Sequence, residues 1–346
     1  MRGFVAAGLF LVVAAPLAAQ QTTARGQSGS EEARDRSLVE RSFPQRLLGS
    51  ADPNEYSWPL KERYGFMTAD LNKTGHADFI VAAYSDPHGD SADILVLKKS
   101  SGALISELDL CGTGIRPRLS PIDLDRSGSP EILVEFGDTG ARGGSIGWVF
   151  KWNGSSLVPL SPTESENGKP CTKLDESDFV DLDGDGILEI VDRIDVDYRN
   201  DANGTPNTYD VYKLVNGAYK LSGSFEYYSG FWPGGFRPMR GRSETFTASN
   251  PKEPYVVIIA NGDGRDRKSV QSADIPLNGE PVTTPGQITQ SVRSLKIPVT
   301  VKAKNTVDVK VTGPKGSVLI VGIGPASLPN SQSAARSLTV NSVSLR

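Results

Sequence analysis

Residues 181–189 read Asp181-Leu182-Asp183-Gly184-Asp185-Gly186-Ile187-Leu188-Glu189, and the rest of the chain is organised around this plan. Two earlier stretches repeat it: Asp70-Leu71-Asn72-Lys73-Thr74-Gly75-His76-Ala77-Asp78 and Asp123-Leu124-Asp125-Arg126-Ser127-Gly128-Ser129-Pro130-Glu131. Oxygen-bearing side chains stand at positions 1, 3, 5 and 9 of each, and glycine stands at position 6. Ca2+ takes six to eight hard oxygen ligands, and a tight loop supplies them when alternate side chains and one carbonyl turn inward around a glycine free to take positive φ. Position 7 is expected to give that carbonyl. Carboxylates this close together without a cation cost several kcal/mol in repulsion and desolvation, so up to three Ca2+ ions are expected as part of the fold. The acids rise from two in the first loop to three and then four, and affinity is expected to rise in that order.

The flanks of these loops are strands by composition. Position 12 of a helix-loop-helix calcium hand is an acid only in the third loop, Asp192; it is Val81 in the first and Val134 in the second, and the following runs FIVAAY and ILVEF are β-branched and aromatic. Each loop opens a unit of four strands closed by turn residues. The first unit is expected at 64–70, 78–84, 93–98 and 103–110. The second is expected at 117–123, 131–136, 146–152 and 157–160, and the third at 178–181, 188–196, 209–215 and 218–225. The loops start roughly 53 and 58 residues apart, and four strands per period is what a propeller blade requires.

An aromatic, Gly/Pro-rich stretch, FEYYSGFWPGGFRPMRGRSETF at 225–246, parts the units from a different pattern. Short β-branched runs at 255–260, 273–277, 292–301, 307–311 and 318–323, divided by Asn-Gly, Pro-Gly and Gly-Pro-Lys-Gly turns, predict a small β-sandwich at 252–324. The fold expected is therefore all-β: at least three propeller-like four-stranded blades within 38–246, then the sandwich, then a tail at 325–346. Residues 20–37 are polar and aperiodic and are expected to be flexible.

The loop pattern resembles the FG-GAP or VCBS repeat, found in the calcium-loaded β-propellers of integrin α-subunits and in many secreted bacterial proteins. The resemblance covers about 64–225. It implies Ca2+ ligands at Asp70, Asn72, Thr74 and Asp78, at Asp123, Asp125, Ser127 and Glu131, and at Asp181, Asp183, Asp185 and Glu189. Propellers close with four to eight blades, whereas three loops are present. A degenerate further blade from 38–60 and 225–246, an open stack capped by the sandwich, and pairing between chains are three ways to cover the remaining edges. The segment VVIIANGDGRDRKSVQSADIPLNGEPV, with NTVDVKVTGPKGSVLIVGI after it, resembles the Ig-like accessory domains of exported bacterial proteins.

Compartment and partners follow from other features. Arg2, the apolar run from Phe4 to Leu17 and the small residues ending at Ala19 have the layout of a secretory signal peptide, 1–19. No apolar run is long enough to span a bilayer. A secreted or envelope location, periplasmic or extracellular, is expected, where Ca2+ is abundant and thiols oxidise. Cys111 and Cys171 stand at similar places in neighbouring repeats, and spacing alone leaves open whether they are bridged. A formal net charge of −4 with no basic stripe excludes nucleic acid as an expected partner.

Enzymatic patterns fare poorly. Gly143-Gly144-Ser145-Ile146-Gly147 matches a nucleophile elbow, but a strand-like run follows it, and His76 and His88 both lie upstream. Two histidines and two distant cysteines do not make a zinc site. Tyr227, Tyr228, Phe231, Trp232 and Phe236, with Arg237, Arg240 and Arg242, form either a platform for sugars or a partner protein, or a plug between repeats and sandwich. No catalytic constellation stands out. The expected function is a secreted calcium-binding repeat protein acting in binding, adhesion or scaffolding toward a protein or glycan ligand. The alternative is a carbohydrate-active enzyme or its carbohydrate-binding accessory, because carboxylate pairs for glycan cleavage carry no sequence spacing.

Overall fold

The computed structural model describes residues 29–44, 59–86, 88, 91–111, 114–137, 145–166, 169–172, 174, 177–194, 208–231, 244–263, 267–284 and 286–326. The expected signal peptide, 1–19, lies outside them. The described residues are all-β apart from one helix and one short 3-10 turn.

Three antiparallel sheets of four strands follow one another in the chain. The first is β1 Tyr64–Ala69, β2 Phe79–Ser85, β3 Ser91–Lys98 and β4 Leu104–Cys111, paired in that order. The second is β5 Ile115–Ile122, β6 Glu131–Gly137, β7 Ser145–Trp152 and β8 Leu157–Pro159. A hairpin of β9 Thr163–Glu166 and β10 Lys169–Thr172 precedes the third, which is β11 Asp178–Val180, β12 Glu189–Ile194, β13 Thr208–Val215 and β14 Ala218–Phe225. Each acidic loop is the turn between the first two strands of its sheet.

The sheets stack face to face. From Ile80 to Tyr84 every residue of β2 is fully buried, because this strand is covered on both faces and so reads as one apolar run. One face of β2 and β3, with Val81, Ala83, Ile94 and Val96, packs on Val134, Phe136, Trp148 and Phe150 of the second sheet. Gly65 makes the close approach feasible: a Cβ there would stand 2.1 Å from the carbonyl oxygen of Pro117 on β5. Leu133 and Val149, on the other side of the second sheet, meet Phe179, Ile190 and Tyr212 of the third.

Both ends of the stack are covered. The outer face of the first sheet, Ile80, Ala82, Tyr84, Leu95 and Leu97, lies under helix α1, Gly29–Arg41, through Leu38 and Val39, with Phe43 beyond it. Part of the stretch expected to be flexible is therefore ordered. Few apolar residues anchor this helix, and polar contacts supply the rest: Lys99 Nζ lies 2.7 Å from Glu31 and 3.6 Å from the buried Asp35. The outer face of the third sheet, Val180, Val191, Val211 and Phe225, lies against Ala260, Val318 and Ile320 of the C-terminal unit.

That unit is a sandwich. One sheet runs β15 Tyr227–Phe231, β25 Ser317–Pro325, β17 Tyr255–Asn261, β22 Ser294–Val299, with β18 Lys268–Ser269 parallel beside β25. The other runs β16 Glu244–Thr247, β23 Lys304–Val307, β20 Pro276–Leu277, β21 Glu280–Pro281, and β19 Ser272–Asp274 pairs with β24 Lys310–Thr312. Two strands that the sequence reading left before the sandwich belong to it, since β15 pairs with β25 and β16 with β23. The unit thus begins at Tyr227. Among the described residues the stack does not close on itself.

Candidate metal centre

The three loops share one backbone form. The residue at position 4 is left-handed in each, Lys73 at φ 56°, Arg126 at 52° and Gly184 at 80°, and so is the glycine at position 6, Gly75 at 84°, Gly128 at 71° and Gly186 at 95°. Two left-handed residues bend the chain back over the side chain at position 1, which then caps the turn: Gly75 N donates to Asp70 Oδ2 at 2.7 Å and Gly128 N to Asp123 Oδ2 at 3.2 Å.

Loops two and three go further than loop one. Glu131 and Glu189 are buried, and the Oε2 of each accepts the amide of position 2, Leu124 at 3.0 Å and Leu182 at 2.8 Å. This bond turns the other carboxylate oxygen toward positions 1 and 3. As a result Asp123, Asp125 and Glu131 bring carboxylate oxygens within 4.8 Å of one another, and Asp181, Asp183 and Glu189 do the same. One Ca2+ at its usual bond length of about 2.4 Å reaches oxygens up to about 4.8 Å apart, so each trio fits a single ion.

The remaining expected ligands are placed as follows. Ser127 donates its amide to Asp125 and receives that of Ser129 on its hydroxyl. Asp185 Oδ1 accepts the amide of Ile187 at 2.7 Å. In loop one, Asp78 is exposed, Thr74 Oγ1 lies 3.3 Å from both Asp70 and Asp78, and Asn72 Oδ1 accepts from Trp152 Nε1 at 3.1 Å. A neutral amide engaged by a neighbouring indole replaces the acid that completes the trio in the other two loops.

The charges are not left to themselves. Lys151 Nζ stands 3.4 Å from Asp125 Oδ2 and 3.7 Å from Glu131 Oε1. Lys213 Nζ bonds Asp183 Oδ2 and stands 3.6 Å from Glu189 Oε1. Arg126, from loop two, reaches Asp181 of loop three at 3.5 Å. Burial pushes the Glu189 carboxyl up to about 8, more than the Lys213 charge pulls it down, and burial raises Glu131 as well. Burial works in the same sense on Asp183, but the hydrogen bond and charge of Lys213 prevail and hold it below its ordinary value.

None of these three bases is evident from the acids of its loop, because each reaches the carboxylates from another strand or from the neighbouring loop. A signal was present: a lysine faces position 9 of every unit. Ile132 pairs with Phe150 and Ile190 with Tyr212, so Glu131 faces Lys151 and Glu189 faces Lys213 one step on, and Lys99 donates its amide to the carbonyl of Asp78.

Other candidates are dispersed. His76 is exposed within loop one, and the amide of His88 donates to Asp86. Ser145 opens strand β7, with no helix after it, so the elbow reading fails; Gly143 and Gly144 lie outside the described residues. Tyr227 and Phe231 are core residues of the sandwich, and Tyr228 stacks on Phe225 at 6.1 Å, as a plug would. Trp232, Phe236, Arg237, Arg240 and Arg242 lie outside the described residues. Cys111 and Cys171 are joined as a disulfide with Cα atoms 5.1 Å apart, tying β4 of the first sheet to β10.

No family model matches the chain, and no curated protein matches it. Among solved structures, an exo-β-1,3-galactanase from Phanerochaete chrysosporium with β-1,3-galactotriose aligns at 10% identity and a TM-score of 0.22 over 75% of this chain and 68% of that one. An M60 catalytic domain with two CBM51 domains from Clostridium perfringens aligns at 10% identity and 0.21, over 79% of this chain and 32% of that one. A GH31 α-xylosidase from Xanthomonas citri aligns at 8% identity and 0.17, over 78% and 31%. The chain spans about a third of the latter two. Likenesses at these scores carry no argument about fold or activity.

Proposed function

We propose that this chain is a secreted calcium-binding repeat protein of the FG-GAP/VCBS type, in which Ca2+ sits in the hairpin loops of propeller-like blades and the stack serves as a binding or scaffolding module. The observation that carries this reading is the pair of acid trios, each with oxygens gathered within 4.8 Å around a loop glycine of positive φ. Asp123, Asp125 and Glu131 hold one ion and Asp181, Asp183 and Glu189 hold another. A bound ion fixes the turn between the first two strands of a sheet, and through it the packing of that sheet on its neighbour. The disulfide supports an oxidising compartment outside the cytosol. No helix among the described residues is long and apolar enough to cross a membrane. A protein or glycan ligand contacted by the loops of one face is the partner this architecture suits.

Isothermal titration of chelator-treated protein with CaCl2, together with elemental analysis of the purified protein, tests the reading. Two ions per chain are expected, with a higher melting temperature in calcium than in chelator. No heat of binding and coincident melting curves would remove calcium from the account.

A further inference from the structure

The lysine facing position 9 behaves differently in the three repeats, and the difference follows the acids. In the second and third repeats the loop holds an acid trio, and Lys151 and Lys213 reach into it. In the first repeat no glutamate stands at position 9 and Asn72 stands at position 3; there Lys99 turns away and binds Glu31 and Asp35 of α1. In the second and third repeats the ammonium comes from a strand that does not belong to the loop, β7 or β13, on a flexible stem.

We propose that Lys151 and Lys213 are tethered competitors for the metal: each offsets part of its loop's negative charge when no divalent ion is bound, and each must swing out before Ca2+ enters. The inference rests on the calcium reading above. An ammonium that touches Asp183 Oδ2 and stands 3.6 Å from Glu189 Oε1 engages carboxylate oxygens of two of the three acids that would hold the ion. Both charges cannot occupy the space between those oxygens. Affinity is therefore set by the acids less the resident base, and counting acids alone misjudges it. Loop three has four acids but is faced by Lys213 and Arg126, whereas loop two has three acids and is faced by Lys151. The two loops are expected to bind within a few-fold of each other, in place of the rise from second to third expected from the count of acids.

The test is Ca2+ titration of the native chain and of Lys213→Met, which keeps the apolar stem and removes the charge. Lys151→Met serves as the parallel variant should the first fail to fold in chelator. The proposal expects at least one site of either variant to bind Ca2+ tenfold or more tightly than in the native chain. It also expects the variants to melt lower than the native chain in chelator and to recover in calcium. Native binding with equal or weaker binding by both variants overturns the tethered competitor and leaves the calcium reading in place. Binding by the variants alone upholds the competitor and removes calcium from the native protein. No binding by any of the three overturns both.

Discussion

The amide of Leu188 donates to the carbonyl oxygen of Leu124 at 2.9 Å, so the third acidic loop hangs from the second by its backbone. Arg126 reinforces the link, crossing from the second loop to Asp181 of the third and lying over Gly186. The two loops that gather acid trios thus form a tandem in direct contact.

Gly186→Ala is the sharpest probe of that tandem. At φ 95° an L side chain is strained, and a Cβ there would stand 2.4 Å from the Arg126 guanidinium. Gly128 has φ 71° but open space around it, so Gly128→Ala meets only the backbone penalty of about 1 to 2 kcal/mol. Both variants are expected to lose about that much in urea titration, because the Arg126 guanidinium is the exposed end of a flexible side chain and can move off the new methyl group. A clearly larger loss for Gly186→Ala would show that Arg126 is held firmly across the two loops.

The disulfide makes a separate prediction. It closes a loop of sequence separation 60 and joins the first sheet to the hairpin beside the second. By chain entropy such a cross-link stabilises by about 4 kcal/mol at most, and measured values commonly fall between about 2 and 4. Cys171→Ser is expected to lower the unfolding free energy from urea titration by an amount in that range, and reductant should lower the native midpoint but leave the variant unmoved. Free thiols titrated in the denatured, unreduced native protein would contradict the bridge.

How much of this was legible in sequence depends on how local each determinant is. β2 and β6 follow acidic loops and are nearly unbroken apolar runs, so their type and limits can be read directly. β15, Tyr227–Phe231, cannot be so read: it pairs with β25, far along the chain, and its own aromatic and glycine content looks like a linker. Helix α1 was hidden for a related reason, since Leu38 and Val39 carry most of its apolar contact and Lys99 supplies the rest from a distant turn. The acid trios of loops two and three were legible because their residues stand close together in the chain, but the lysines that face them come from a neighbouring strand. Loop one has only two acids and so can form no acid trio; what its sequence does not show is that Asn72 is engaged by Trp152 of the next sheet.

Lys99 and Asp35 offer a test of the helix cap. Asp35 is fully buried, and Lys99 Nζ at 3.6 Å is the charge placed against it. Removing one partner of a buried pair strands the other, at a cost on the order of 3 kcal/mol, whereas replacing both by apolar groups is close to neutral. Lys99→Met should therefore destabilise strongly in denaturant titration, and adding Asp35→Leu should restore most of the loss. Additive losses in the double variant would mean that the pair does not hold α1 on the sheet.

Gly322 tests how firmly the stack and the sandwich are joined. It lies on β25, paired with Tyr228 and Ile258, and a Cβ there would meet the Phe225 ring at 2.7 to 2.9 Å. Phe225 ends the third sheet, is fully buried and stacks on Tyr228 with ring centroids 6.1 Å apart. Gly322→Val thus overpacks the seam, which costs about 1 to 3 kcal/mol. The expected result is a loss of that size on unfolding, with added exposure of the seam to a hydrophobic dye. Pairing Gly322→Val with Phe225→Leu should recover part of the loss, because the smaller side chain returns the space that the valine takes. An undiminished midpoint for Gly322→Val alone would show that the third sheet and the sandwich sit farther apart than this packing requires.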